Sequence, residues 1–153
     1  GRRTCVTLAC YMHHMEVFTP KVTRGYHSKH FMNDLKAAVQ VAGVQGQPAA
    51  LFLEDYQLVE PAFLEIINSL LSSGEVPGMF TNQELDAMLG PLKEEFSSQG
   101  FKYRSPYAFF VGRVQKNLHV ILSLDPSHPD FLMRCESNPA LYTKCNIMWL
   151  EAW

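Results

Sequence analysis

Residues 49–80 read AALFLEDYQLVEPAFLEIINSLLSSGEVPGMF, and the opening of this stretch decides the fold. Ala49, Ala50, Leu51, Phe52 and Leu53 form a continuous apolar run. The run is too short for a membrane and shows no alternation, so it predicts a strand buried on both faces. It stops abruptly at Glu54-Asp55. A parallel strand covered by helices ends at the crevice where ligands bind. An acid at that end is placed to hold Mg²⁺ beside a nucleotide phosphate. A solvated acidic turn after a core strand satisfies the same pattern, so the rest of the chain has to choose between the two.

Working outward, Pro61 suits the first turn of a helix. Phe63, Leu64, Ile66, Ile67, Leu70 and Leu71 follow at helical spacing, Gly74 stops that helix, and Glu75 to Gly78 is a turn signal. Thr81-x-x-Glu84 reads as a capping box for a helix to Leu89. A second short helix is expected after Pro91, up to the loop 97–100. Ser105-Pro106 opens another helix, to about Lys116, with Tyr107, Phe110, Val111 and Val114 as its apolar stripe. Leu118 to Leu124 is a second clear strand, again ending in an acid, Asp125. His119 within it reads as a core histidine. Short helices are expected near Phe131 to Arg134 and at about Ala140 to Lys144, capped by Asn138-Pro139. Ile147 to Leu150 reads as a last strand.

Upstream, Glu16-Val17-Phe18 is a short strand candidate and Lys21 to Tyr26 a loop. A helix is expected from Ser28 to Ala42, with Phe31, Leu35, Ala38 and Ala42 on one face and Gly43 at its C-terminus. The His13-His14 pair and His27-x-x-His30 lack a third ligand at a sensible spacing and read as surface or loop histidines. Gly1-Arg2-Arg3-Thr4 matches the tail of a phosphate loop, G-[KR]-x-[ST], opening a helix whose Val6, Leu8, Ala9 and Met12 suit a core. Without the upstream glycines, four such residues most often open an ordinary helix. Helices alternating with short strands predict a parallel sheet with crossover helices, an α/β fold.

The 153 residues, 47% hydrophobic and 18% charged, suit one globular domain with a sizeable core. A net charge of −2 gives no reason to expect nucleic acid or acidic membranes, and no apolar run approaches a spanning helix. Cys5, Cys10, Cys135 and Cys145 show neither C-x-x-C nor zinc spacing and read as free thiols of a reducing compartment.

Three segments together resemble the AAA+ modules of dynein heavy chains. Phe63 to Phe80 looks like the helix and insert after the Walker B strand. Asn117 to Pro126 looks like the sensor I strand. Asn138 to Cys145, followed by Trp149 and Trp153, looks like the arginine-finger segment and final strand. Among the six ring modules the chain is most similar to the fourth, which precedes the microtubule-binding stalk. The Glu54 to Gln57 segment is most similar to the dynein of intraflagellar transport.

The resemblance implies a three-layer αβα, P-loop NTPase-like parallel sheet of order 5-1-4-3-2. Residues 1–153 would be its large α/β subdomain, without the first inner strand and the C-terminal lid, within a much larger polypeptide. It implies ATP or ADP with Mg²⁺ as cofactors. It implies neighbouring AAA+ modules of the same chain, microtubules through the stalk, and intermediate and light chains as partners. Cytoplasm, cytoskeleton and cilium are the implied locations. Gly1, Arg2, Arg3, Thr4, Asp55 and Asp125 would meet the nucleotide, Asp55 would serve the metal, and Lys144 would occupy the finger position acting on the neighbouring module.

Departures from the family pattern bear on mechanism. The Walker B glutamate is replaced by Tyr56, whose phenol is protonated near neutral pH. If the strand continued, Glu54 would point to the opposite face. Asp125 stands where Asn is usual, and Arg3 where a Ser or Thr would ligate Mg²⁺. Lys144 brings charge without a planar fork. The expectation is a module that binds nucleotide and hydrolyses it weakly or not at all. The alternative is a nucleotide-free spacer that transmits ring motion.

Overall fold

The fold is built on β2 (Ala49–Glu54), the predicted apolar run. It is the middle strand of a three-stranded sheet, parallel to β1 (Glu16–Phe18) on one side and β3 (Leu118–Ser123) on the other. This computed structural model describes residues 1–100 and 102–151. Val17 stands opposite Ala50, and Ala50 opposite His119. The order β1-β2-β3 agrees with strands 2-3-4 of the expected 5-1-4-3-2.

Seven helices complete the described residues: α1 (Arg2–Met12), α2 (Ser28–Gly43), α3 (Pro61–Ser73), α4 (Asn82–Ser98), α5 (Pro106–Asn117), α6 (Phe131–Ser137) and α7 (Ala140–Thr143). Side chains alternate along a strand. Leu51 and Leu53 therefore enter the main core with residues of α2, α3 and α5, while Ala50 and Phe52 point to the other face and are buried as well. Phe31 of α2 and Phe63 of α3 stack with ring centroids 4.4 Å apart, both buried. Full burial of one such ring contributes about 1.5–3 kcal/mol, so this pair is a principal tie between the two helices.

The helix ends follow local chemistry. Pro61 is the first residue of α3, and Gly74 closes it in the left-handed conformation, φ 78°. At α4 the Glu84 amide donates to Thr81 Oγ1 at 3.2 Å, and the Thr81 amide donates to Glu84 Oε2 at 2.7 Å. Ser105 caps α5 by accepting from the Ala108 amide.

Several expectations are corrected. Helix α4 runs unbroken through Pro91 to Ser98. The missing N–H costs the helix a hydrogen bond, but Met88 and Leu92 are buried on either side of Pro91, and that packing keeps the helix continuous. Gly43 does end α2, as expected, but Val44 takes the cap position, and the glycine answers to packing: a Cβ there would lie 2.4 Å from the Phe110 ring. The buried face of α5 is Phe109, Phe110 and Val114, with Tyr107 left partly exposed.

Helix α1 forms, but only Cys10 is buried; Leu8, Ala9 and Met12 are exposed. His119 is likewise exposed, and β3 is only partly buried, because no further strand pairs with its outer edge among the described residues. The last strand is not formed: Ile147, Met148, Trp149 and Leu150 are irregular and exposed. A strand needs a hydrogen-bonded neighbour, and among the described residues these four have none. Trp153 lies outside the described residues.

Candidate functional site

The C-terminal ends of β2 and β3 and the N-terminus of α1 converge on one cleft of about 530 Å³, lined by Arg2, Glu54, Asp55, Tyr56, Leu58, Ser123, Asp125, His128 and Arg134. That size suits a small-molecule ligand. The position is the one expected of a parallel sheet, in the crevice beyond the carboxyl ends of its strands.

Glu54 is the last residue of β2, and the chain turns at once into a 3₁₀ turn, Asp55–Gln57. Because the strand does not continue, Glu54 and Asp55 do not diverge to opposite faces; both line the cleft. Gln57 makes the turn rigid. It is 3% exposed, accepts from the Glu54 amide at 2.8 Å, and donates to the Pro20 carbonyl at 2.6 Å and to Thr19 Oγ1 at 3.1 Å.

Each carboxylate of the cleft is already answered by a neighbour. Glu54 is ion-paired with Arg3, whose Nε donates to Oε2 at 2.9 Å. Arg3 also donates to the Tyr56 hydroxyl at 3.1 Å, which draws Tyr56 toward α1 although its side chain stays exposed. Asp125 accepts from both the hydroxyl and the amide of Ser127, and these bonds hold its carboxyl below the usual range. Asp55 accepts from Arg134 Nη1 at 2.9 Å on one oxygen, and its other oxygen faces His128 Nε2 at 4.0 Å.

The predicted residues divide accordingly. Arg2, Asp55 and Asp125 are brought together in the cleft. Gly1 precedes α1 at its N-cap, and Thr4 sits exposed in the first turn without lining the cleft. Arg3 lies beside the cleft on Glu54. Lys144 caps the C-terminus of α7, exposed and outside the cleft. Sequence reasoning missed His128 and Arg134. Nothing in the spacing marks Arg134, which lies 79 residues from its partner. The proline-flanked turn 126–129 after an acidic strand end was the available hint for His128.

Whether these residues fit Mg²⁺ depends on the oxygens of Asp55. Mg²⁺ requires near-octahedral oxygen coordination and in nucleotide sites relies on one or two carboxylates plus phosphate. Here a permanently charged guanidinium holds one oxygen and an imidazole faces the other. Asp55 Oδ2 and Asp125 Oδ2 accept no hydrogen bond among the described residues, so each aspartate of the cleft keeps one oxygen with which it could hold a divalent ion beside a phosphate. No three His, Cys, Asp or Glu side chains gather to hold a metal among the described residues.

Residues 1–153 match the family described as P-loop containing dynein motor region D4. The chain is 50% identical over 153 residues to cytoplasmic dynein 2 heavy chain 1 of Homo sapiens, covering 100% of this chain and 4% of that protein. It is 51% identical over 156 residues to the protein of the same name in Chlamydomonas reinhardtii, again covering 100% of this chain and 4% of that one. With the cytoplasmic dynein heavy chain of Dictyostelium discoideum it shares 31% over 156 residues, 100% of this chain and 3% of that protein. The chain thus spans about 4% of the length of the dynein 2 relatives it matches.

Proposed function

The chain belongs to the P-loop containing dynein motor region D4 family, and from that premise we propose that it is a nucleotide-binding, weakly hydrolysing or non-hydrolysing AAA+ module of a dynein heavy chain. The phosphates of ATP or ADP would meet Arg2 and the first-turn amides of α1, at the mouth of the cleft. A helix N-terminus with a cation beside it favours an anion there.

The observation that carries the reading is Tyr56. It occupies the place where the resemblance expects a water-orienting glutamate, and its hydroxyl is tied to Arg3. A phenol is a poor base near neutral pH, and losing a general base costs about 10²–10⁴ in rate. Glu54, the nearest replacement, is committed to Arg3. The module would therefore hold nucleotide to regulate a ring whose other modules drive a microtubule motor in the cytoplasm and cilium, alongside the neighbouring modules and the motor's intermediate and light chains. Lys144, exposed at the end of α7, is free to face a neighbouring module.

The test is ATP turnover by the intact ring with the other modules' sites disabled. Turnover at background is expected; substantial turnover that vanishes on Asp55→Ala would sink the non-hydrolysing reading. A second reading, a nucleotide-free spacer, is favoured by the Arg3–Glu54 and Arg134–Asp55 pairs, which satisfy the cleft internally. Binding of labelled ADP to the same ring separates the two.

A further inference from the structure

The strand register sets two aspartates side by side. Glu54 of β2 stands opposite Ser123 of β3 at the end of their paired ladder. Asp55 follows Glu54 directly, and Asp125 comes two residues after Ser123. Neighbouring strands lie about 4.8 Å apart, and both aspartates line the cleft that opens beyond them. His128 bears on both. Its Nε2 lies 4.0 Å from Asp55 Oδ2. The Ser127 hydroxyl and amide, and then the charges of Arg2 and His128, hold the Asp125 carboxyl below its usual range.

Each aspartate is oriented through one oxygen. Asp55 Oδ1 accepts from Arg134 Nη1 at 2.9 Å. Asp125 Oδ1 accepts from the Ser127 amide at 2.9 Å and from the Ser127 hydroxyl at 2.7 Å. Among the described residues neither Oδ2 accepts a hydrogen bond, and His128 stands beyond hydrogen-bond reach of Asp55. The third acid, Glu54, is committed to Arg3.

Charge points the same way. Glu54, Asp55 and Asp125 face Arg2 and Arg134 in the lining, so acids outnumber permanent cations before any phosphate enters. A polyphosphate beside Asp125 would meet repulsion, which a divalent ion lying between carboxylate and phosphate turns into attraction. Mg²⁺ in nucleotide sites is bound by one or two carboxylates together with phosphate oxygens.

We propose that Asp125 is a second carboxylate ligand of the divalent ion that enters with nucleotide, sharing it with Asp55 across the ends of β2 and β3. The inference rests on the nucleotide-binding reading above and deepens it. No third His, Cys, Asp or Glu joins the two aspartates among the described residues, so the ion is held jointly with a phosphate. Asp125 is thereby the residue that couples ADP binding to Mg²⁺.

The experiment uses the intact motor ring with the other modules' nucleotide sites disabled. The affinity of fluorescent ADP is measured in excess Mg²⁺ and in EDTA, and bound metal is read directly by paramagnetic resonance of Mn²⁺ in the presence of ADP. The unaltered protein should bind ADP at least about tenfold more tightly with Mg²⁺. Asp125→Asn keeps an oxygen for Ser127 and removes the charge. Outer-shell partners of a metal are worth about 10–100-fold in its affinity, so losing a direct ligand should weaken Mn²⁺ by at least about tenfold. ADP affinity should fall by a similar factor in Mg²⁺, because the coupling is reciprocal. In EDTA it should hold or tighten, because a repelling charge is gone, and that retained binding shows the variant to be folded. Unchanged Mn²⁺ affinity in Asp125→Asn would overturn the proposal. So would tighter or unchanged ADP binding in both conditions, since Asp125 would then at most repel the phosphates. Equal weakening in both would overturn it too, because that is the mark of a merely structural turn at Ser127. ADP binding to the unaltered ring that ignores metal would overturn this proposal alone; absence of ADP binding in both conditions would overturn it together with the nucleotide reading.

Discussion

Replacing Gln57 with leucine should loosen the strand end that borders the cleft. The side chain is 3% exposed and spans two strand ends, accepting from the Glu54 amide at 2.8 Å and donating to the Pro20 carbonyl at 2.6 Å. Leucine is close enough in volume to avoid a large cavity, so the cost is mainly electrostatic. The Glu54 N–H and the Pro20 carbonyl would each lose their side-chain partner, and an orphaned buried group costs about 1–3 kcal/mol. The Thr19 hydroxyl can rotate toward another partner and is left out of the sum. The total is about 2–6 kcal/mol, equivalent to roughly 30-fold or more in an opening equilibrium. Amide hydrogen exchange of the intact ring, followed in peptides covering Ala49–Gln57, reads this directly. Protection there should fall by at least about 30-fold, while the Thr81 region of α4 stays unchanged. A fall below about threefold would refute the reasoning, because it would mean that neither bond contributes more than an exposed one does.

Gly43→Ala should destabilise the fold by about 1–3 kcal/mol through overpacking, since the new Cβ would lie 2.4–2.7 Å from the Phe110 ring and Val114; a lower thermal denaturation midpoint checks it. The Thr81 amide, and then Lys36, hold the Glu84 carboxyl below its ordinary value. A depressed folded-state value contributes stability that is present above the unfolded carboxylate pKa and lost as pH falls through the folded one. Stability measured from pH 7 down to pH 3 should therefore decline less steeply for Glu84→Gln than for the unaltered chain.

Local chemistry was legible wherever one residue type dictates one conformation. Pro61, Gly74, Thr81 with Glu84, and Ser105-Pro106 marked helix ends that the structure keeps, because caps depend on neighbours within four residues. Pro91 misled for the complementary reason. Its local penalty is real, but burial of Met88 and Leu92 outweighs it, and burial is not a local property. Ile147 to Leu150 had the composition of a strand and, among the described residues, lacked the neighbour that makes one.

The sequence by itself determined that the run from Ala49 to Leu53 forms a doubly buried parallel strand stopping at acid, and with it the α/β class. It also placed Tyr56 beside Asp55, which a one-dimensional reading shows completely. Only the tertiary structure decided how the charges are spent. Glu54 answers to Arg3, 51 residues away, and Asp55 to Arg134, 79 residues away. Gln57, an unremarked polar residue in the chain, becomes the buried tie between two strand ends. Apolar periodicity repeats within an element and so can be read along the chain. A single pairing of charges between distant elements has no period, and it exists only once the chain has closed around it.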